Sequence, residues 1–215
     1  MKNRLEEWEN KLAQKLVKYT SDRQGPEIGT DQYEKRLYGA KCVINNIEKT
    51  IIVFPIALLL GVLPYALTMG ISMSTLRRFS FGVHMRSSLV CLLEGLIIYL
   101  GGGLLVRYWP HHILDVFILF IPIMFSINEY APAQTLKRPI PEGTRDFYTS
   151  LCRSIGIFWS FIASMLYVTN WLFPIPKSIH LDAFGFSIML GLFVQAIHLT
   201  PVMFRLFERA KPPII

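Results

Sequence analysis

The chain has 215 residues, 52% of them hydrophobic and 17% charged, with a mean hydropathy of +0.39, a balance too apolar for a soluble domain of this size. The formal net charge of +7 would suit nucleic acid. The basic residues, however, sit beside apolar runs, where membrane lipid head groups and positive-inside topology account for them, so no nucleic-acid partner is expected.

In chain order, residues 5 to 18 place Leu5, Trp8, Leu12 and Leu16 at spacings of three and four, with charged residues elsewhere on the wheel. This predicts an amphipathic helix that lies on the membrane surface or packs on the bundle. No apolar run precedes residue 50, so the N-terminus lacks the shape of a signal peptide. Residues 20–31 read as a polar, turn-rich linker. The expected units are 1–31 (amphipathic helix and linker), 32–207 (membrane-embedded domain) and 208–215 (C-terminal tail).

Five apolar segments follow, at 50–73, 88–106, 111–127, 155–175 and 181–204. At ~20 residues per crossing they predict an all-α, polytopic integral membrane bundle of about four to six segments. The first segment contains Pro55, Gly61 and Pro64, so it is expected to be kinked or re-entrant. Basic residues arbitrate its path: ten lie before residue 50, three in 74–88, four in 128–154 and three in the tail, with Arg107 and Lys177 alone elsewhere. A single crossing of 50–73 would divide them. No crossing, or two with help from 32–49, gathers twenty on one side against two, as the positive-inside rule favours. That side is the expected cytoplasmic face.

Three cysteines without CxxC spacing indicate neither a disulfide framework nor a zinc site, and no cofactor is expected. His84 and Cys91 carry more information. Imidazole and thiol are the groups of cysteine-nucleophile chemistry, and here they meet at the edge of a membrane-scale segment. On one unbroken helix a spacing of seven would separate them by about 10.5 Å, against the ~3 Å that a nucleophile and its base require. A catalytic pair therefore predicts a helix break between them. Ser87 or Ser88 can cap a new helix with Cys91 in its first turn, where the helix dipole and Arg86 favour thiolate. Otherwise Cys91 is packing material and His84 a satisfied surface residue.

The run LRRFSFGVHMRSSLVCLLEG, the later YAPAQTLKRPIP at 130–141 and the late QAIHLTP at 195–201 together resemble, in order, the accessory gene regulator B family of membrane cysteine endopeptidases. Phe81-Gly82-Val83 stands where a Gly-Gly-Ala-like run is more usual before the histidine. The resemblance implies cleavage of the C-terminal part of a short precursor peptide in quorum sensing. It implies Cys91 as nucleophile and acyl carrier, His84 as general base and acid, and a thioester released by cyclisation to a lactone or thiolactone.

Glu94, three residues after Cys91, is a costly intramembrane carboxylate. It would orient His84, bind a substrate cation, or pair structurally with Arg77, Arg78 or Arg86. Asp115 and Glu129 are weaker candidates for the orienting role. Gly82, Ser87 and Ser88 join Glu94 as supporting residues. Arg77, Arg78, Lys137 and Arg138 would hold an acidic peptide tail or anchor lipid head groups. Gly101, Gly102 and Gly103 would permit close helix contact and a homodimer, or loosen a helix. The reading from another class is a small transporter or peptide-export component in which Cys91 is incidental.

Overall fold

The computed structural model describes residues 4–20, 30–83, 88–133, 140, 143–173 and 180–207. These residues form an all-helical chain: α1 (Arg4–Thr20), α2 (Asp31–Leu59), α3 (Leu63–Ser80), α4 (Ser88–Leu96), a π-helical turn (Ile97–Gly101), α5 (Gly102–Tyr108), α6 (Ile113–Tyr130), α7 (Arg145–Leu172), α8 (Leu181–Leu199) and α9 (Pro201–Phe207). Five stretches are long and apolar enough to cross a membrane: α2, the continuous α4 to α5, α6, α7 and α8. Their outward positions bear Leu59, Ile97, Ile118, Ile121 and Trp171, all exposed, a surface suited to lipid rather than water.

The first apolar segment is two helices and not one. Pro55 stays inside α2, and the chain reverses at Leu60–Val62 before α3 starts with Pro64 in its first turn. Gly61 makes the reversal possible: its φ is +67°, a left-handed conformation that glycine adopts at little cost. The neighbours fix the direction of each arm. Gly95 lies against Lys49, Gly103 against Val62 and Gly70 against Tyr99. Hence α2 runs alongside α4 and α5 in the same direction while α3 returns antiparallel. Residues 32–49 belong to α2, one of the stretches long and apolar enough to cross, whereas α3 is not among those stretches. The start of α2, the end of α3 and the start of α4 therefore share one end of the bundle, called here the basic end. Gly61→Val places a branched side chain at positive φ, where a Cβ already comes within 2.8 Å of the Arg107 guanidinium. It is expected to lower stability by about 2 kcal/mol, measurable as a reduced melting temperature in detergent.

Other boundaries move by less. Helix α7 begins ten residues before the apolar segment at 155, because the polar turns from Arg145 onward stay helical as they leave the apolar layer. The segment 181–204 divides at Thr200, where Pro201 starts α9. Helix α1 packs on α2 with Ala13 and Val17 buried against Leu37, Ala40 and Ile44. The face is rotated from the one expected: Leu12 is partly covered, but Trp8 and Leu16 point outward. The small Ala13 and Ala40 let the two helices approach, which leaves the bulkier side chains to the exterior.

Helix α8 is the axis of the bundle. Residues on all sides of it are buried, from Ala183 to Leu199, because α3, α6 and α7 surround it. Small residues allow this. A Cβ on Gly185 would lie 2.9 Å from the Ala163 carbonyl oxygen and the Tyr167 ring, and one on Gly191 would lie 2.4 Å from the Met69 carbonyl oxygen. Hydrogen bonds supplement the packing: Ser72 Oγ of α3 donates to the Ile188 carbonyl at 3.1 Å, and Trp159 Nε1 of α7 donates to Thr75 Oγ1 of α3 at 2.8 Å. Of the three adjacent glycines, Gly102 meets the Met69 side chain and Gly103 meets Val62, while Gly101 faces open space. Two of the three are thus consumed by packing within the chain.

Candidate active site

The C-terminal end of α3 carries Arg77 and Arg78 in its last turn and stops at Ser80. Phe81 (φ +61°) and Gly82 (φ +104°) then turn the chain out of helical geometry. A phenylalanine in the left-handed region costs energy that glycine would not, and Phe81 is where the glycine of the more usual run would stand. Its ring packs against Tyr148 at 5.7 Å between centroids. Gly82 is constrained by space as well as by φ, since a Cβ there would lie 3.2 Å from Gln195 Nε2 and 3.4 Å from the His198 carbonyl oxygen.

Residues 80–83 form an arm held on three sides. Ala133 N donates to Ser80 O at 2.9 Å, and Phe81 bridges to Ala133. Gln195 Nε2 donates to Ser80 Oγ at 3.0 Å and to Phe81 O at 2.9 Å. Val83 N donates to His198 O at 3.3 Å, and Arg77 Nη2 donates to Val83 O at 2.7 Å. The three sequence segments that carried the family resemblance therefore converge here: the end of α3, residues Ala131–Ala133, and the end of α8.

The described part of α4 begins at Ser88, and residues 84–87, where the chain would have to break between His84 and Cys91, are not among the described residues. Cys91 lies on α4 and is half-buried. His84, Arg86, Ser87, Lys137 and Arg138 lie outside the described residues, as does the side chain of Ser88.

Glu94 sits one turn below Cys91 and pairs with His198 Nε2 of α8. Among the described residues its hydrogen-bond partner is His198 and neither Arg77 nor Arg78. The imidazole is 2% exposed and the carboxylate residue 18%. His198 Nδ1 lies 2.8 Å from the Val194 carbonyl oxygen, which can only accept, so Nδ1 bears a hydrogen. The contact at Nε2 then needs one proton shared between imidazole and carboxyl, and the pair as a whole is neutral whichever group holds it. Arg77 of α3 and Lys49 of α2 are the other charged groups acting on Glu94 among the described residues. Gln195 is fully buried, and its Oε1 has no partner among the described residues.

Asp115 is remote from this site. It lies in the first turn of α6, at the opposite end of the bundle, where its Oδ2 accepts from His112 N at 3.0 Å. Beside it, burial holds His111 below the ordinary imidazole range despite the nearby Asp182. Among the described residues no group of three or more His, Cys, Asp or Glu side chains is disposed to hold a metal ion.

Residues 9–199 match the accessory gene regulator B family. The chain belongs to that family. Similar proteins named accessory gene regulator protein B occur in Staphylococcus saprophyticus, 32% identical over 53% of this chain and 60% of the relative, and in Staphylococcus aureus strain MW2, 28% identical over 77% of this chain and 81% of the relative. One from Staphylococcus haemolyticus is 27% identical over 80% of this chain and 85% of the relative. No solved structure matches the chain. Membership supports a role in quorum-sensing peptide processing. The contributions of Gln195 and His198 could have been suspected from the QAIHLTP run, but their partners are more than 100 residues away in sequence, and local patterning carries no signal for such contacts.

Proposed function

We propose that this accessory gene regulator B family member is a membrane cysteine endopeptidase that removes the C-terminal part of a short precursor peptide. Cys91 attacks the scissile carbonyl and becomes an acyl thioester. His84 takes the thiol proton and returns it to the leaving amine. A nucleophile elsewhere in the retained peptide then displaces the thioester, which closes a lactone or thiolactone ring. The observation that carries this reading is the interrupted chain between α3 and α4. The chain leaves helical geometry at residues 81–83, and the same residue of α8 that pairs with Glu94, one turn from Cys91, holds this arm.

The surroundings suit the chemistry. A site at the membrane edge limits water, so an intramolecular nucleophile outcompetes hydrolysis of the thioester. Arg78 is exposed at the basic end and is suited, with Lys137 and Arg138, to hold an acidic substrate tail. Arg77 is better suited to holding the Val83 carbonyl. The excess of basic residues at this end supports a cytoplasmic orientation in the cell membrane.

The test supplies synthetic precursor to inside-out and right-side-out vesicles containing the protein. Cleavage by inside-out vesicles alone is expected, with a mass increment of the N-terminal fragment, less water, on the peptide that contains Cys91. An acyl adduct on any other residue, or transport of intact peptide without cleavage, would favour the export component instead.

A further inference from the structure

The end of the bundle opposite the basic one holds a second group of titratable side chains, brought together by α6, α7, α8 and the α5–α6 connection at residues 109–112. Asp115 lies in the first turn of α6 and Asp182 in the first turn of α8. One turn further along α8, Gly185 and Phe186 share the helical face of Asp182. The ring of Tyr167, from α7, lies against Gly185. The imidazole of His111 packs on Phe186 with 5.4 Å between ring centroids. No hydrogen bond joins residues 109–112 to α8 among the described residues, so the His111 ring attaches the connection there by aromatic contact.

His111 Nδ1 is enclosed by protein and has no hydrogen-bond partner among the described residues. A neutral imidazole with its hydrogen on Nε2 leaves only a lone pair at that place, which forfeits one hydrogen bond. A proton there would create a buried cationic N–H without an acceptor, and that costs far more. Burial accordingly opposes the charged ring most strongly and His180 adds to it, against the pull of Asp182, the Val106 carbonyl and Asp115. The other groups at this end have their own surroundings. Asp115 accepts from His112 N at 3.0 Å, Asp182 accepts from Ala183 N at 3.0 Å, and Arg107 of α5 donates to the Leu60 carbonyl. Tyr167 is buried, and its hydroxyl has no partner among the described residues. Lys177 lies outside the described residues.

We infer that His111 is an acid-sensitive latch: neutral, it fastens the α5–α6 connection to the first two turns of α8, and protonated, it lets go. The released ring reaches water or a carboxylate oxygen of Asp182. Either satisfies the new N–H, and both give up the contact with Phe186. The closed form thus holds fewer protons than the open one. Closure is at full strength above the ordinary imidazole value of about 6.5 and weakens as pH falls below it. On the orientation proposed above this end faces the exterior, so the latch responds to acid outside the cell. It does not rest on the peptidase reading.

Hydrogen exchange of the purified full-length protein in detergent, with each rate divided by the intrinsic rate at that pH, tests the latch at residues 109–118 and 181–188. In the native protein both segments are expected to exchange about 10-fold faster at pH 5.0 than at pH 7.5, the factor that goes with one unit of difference in proton affinity. The middle of α7 is expected to be unchanged. His111→Phe keeps a ring on Phe186 and cannot titrate, so slow exchange is expected at both pH values. His111→Gln loses the ring, and fast exchange is expected at both. His112→Gln and His180→Gln are expected to respond to acid as the native protein does. The inference is overturned if either His111 variant still loosens in acid, since the response would then belong to another group. A native protein with equal rates at the two pH values overturns it as well, and so does loss of the response in His112→Gln or His180→Gln.

Discussion

Cys91→Ala is expected to abolish precursor cleavage, with kcat reduced by at least about 10⁴-fold, the scale seen when a covalent nucleophile is deleted and only binding and oxyanion stabilisation remain. The acyl-enzyme cannot form, so its mass adduct vanishes together with the product. Cys91→Ser is expected to fall nearly as far. A hydroxyl has far less anionic character near neutral pH than a thiol, and a base positioned for sulfur meets an oxygen held on a shorter bond. Cys42→Ser, on the half-exposed side of α2, is expected to cleave at the native rate. Parallel measurement of melting temperature in detergent excludes a folding defect, because Cys91 is half-buried on α4 and its truncation leaves no large cavity. Cleavage by Cys91→Ala at more than a tenth of the native rate would be incompatible with a thioester mechanism.

The largest expected effect on stability belongs to Gly191. A methyl group there would lie 2.3 Å from Ser72 Oγ and 2.4 Å from the Met69 carbonyl oxygen, and the second of these is backbone that cannot swing aside. Helices α3 and α8 must separate to admit it. That separation also stretches the Ser72 bond to Ile188 and loosens the contact that brings Gln195 to the arm. Gly191→Ala is expected to cost about 3 kcal/mol, seen as a melting temperature many degrees lower and as loss of cleavage at the growth temperature. Gly101→Ala is the matched comparison, since nothing lies within 4 Å of the added carbon. It is expected to be neutral or to stabilise by up to about 1 kcal/mol through helix propensity. Equal melting temperatures for the two variants would mean that α3 and α8 are further apart than described.

Much of this architecture was legible in the amino-acid order, for reasons that can be named. Four of the five apolar runs each supply one membrane-length helical stretch, because length and hydropathy are local properties. Where prediction failed, the deciding interaction was elsewhere in the chain. Pro55 and Gly61 are equally good breakers by type, yet Pro55 lies within α2 while Gly61 turns the chain. The difference comes from the Arg107 guanidinium, which holds the Leu60 carbonyl from 47 residues away. Helix α3 was hidden for a related reason. Ser72, Thr75, Arg77 and Arg78 make it less apolar than its neighbours, and the partners of Ser72 on α8 and of Thr75 on α7 lie outside any local window.

The site divides along the same line. The need for a break between His84 and Cys91 followed from the rise of a helix alone, and it falls on residues 84–87, outside the described ones. The partner of Glu94 did not follow, since three arginines were nearer in sequence than His198. What the sequence pattern lacked was the fact that the last long helix runs through the middle of the bundle.

That central position has a consequence for how the protein is made. Translation delivers α8 last among the long helices, yet it is the one the others surround. Until residues 181–199 emerge from the ribosome and enter the groove between α3, α6 and α7, the arm at 80–83 lacks Gln195 and the His198 carbonyl, and Glu94 lacks its imidazole. A nascent or truncated chain therefore carries every residue of the cysteine segment without the frame that organises it. Organisation of the arm and of Glu94 is therefore coupled to the arrival of α8 in the bundle.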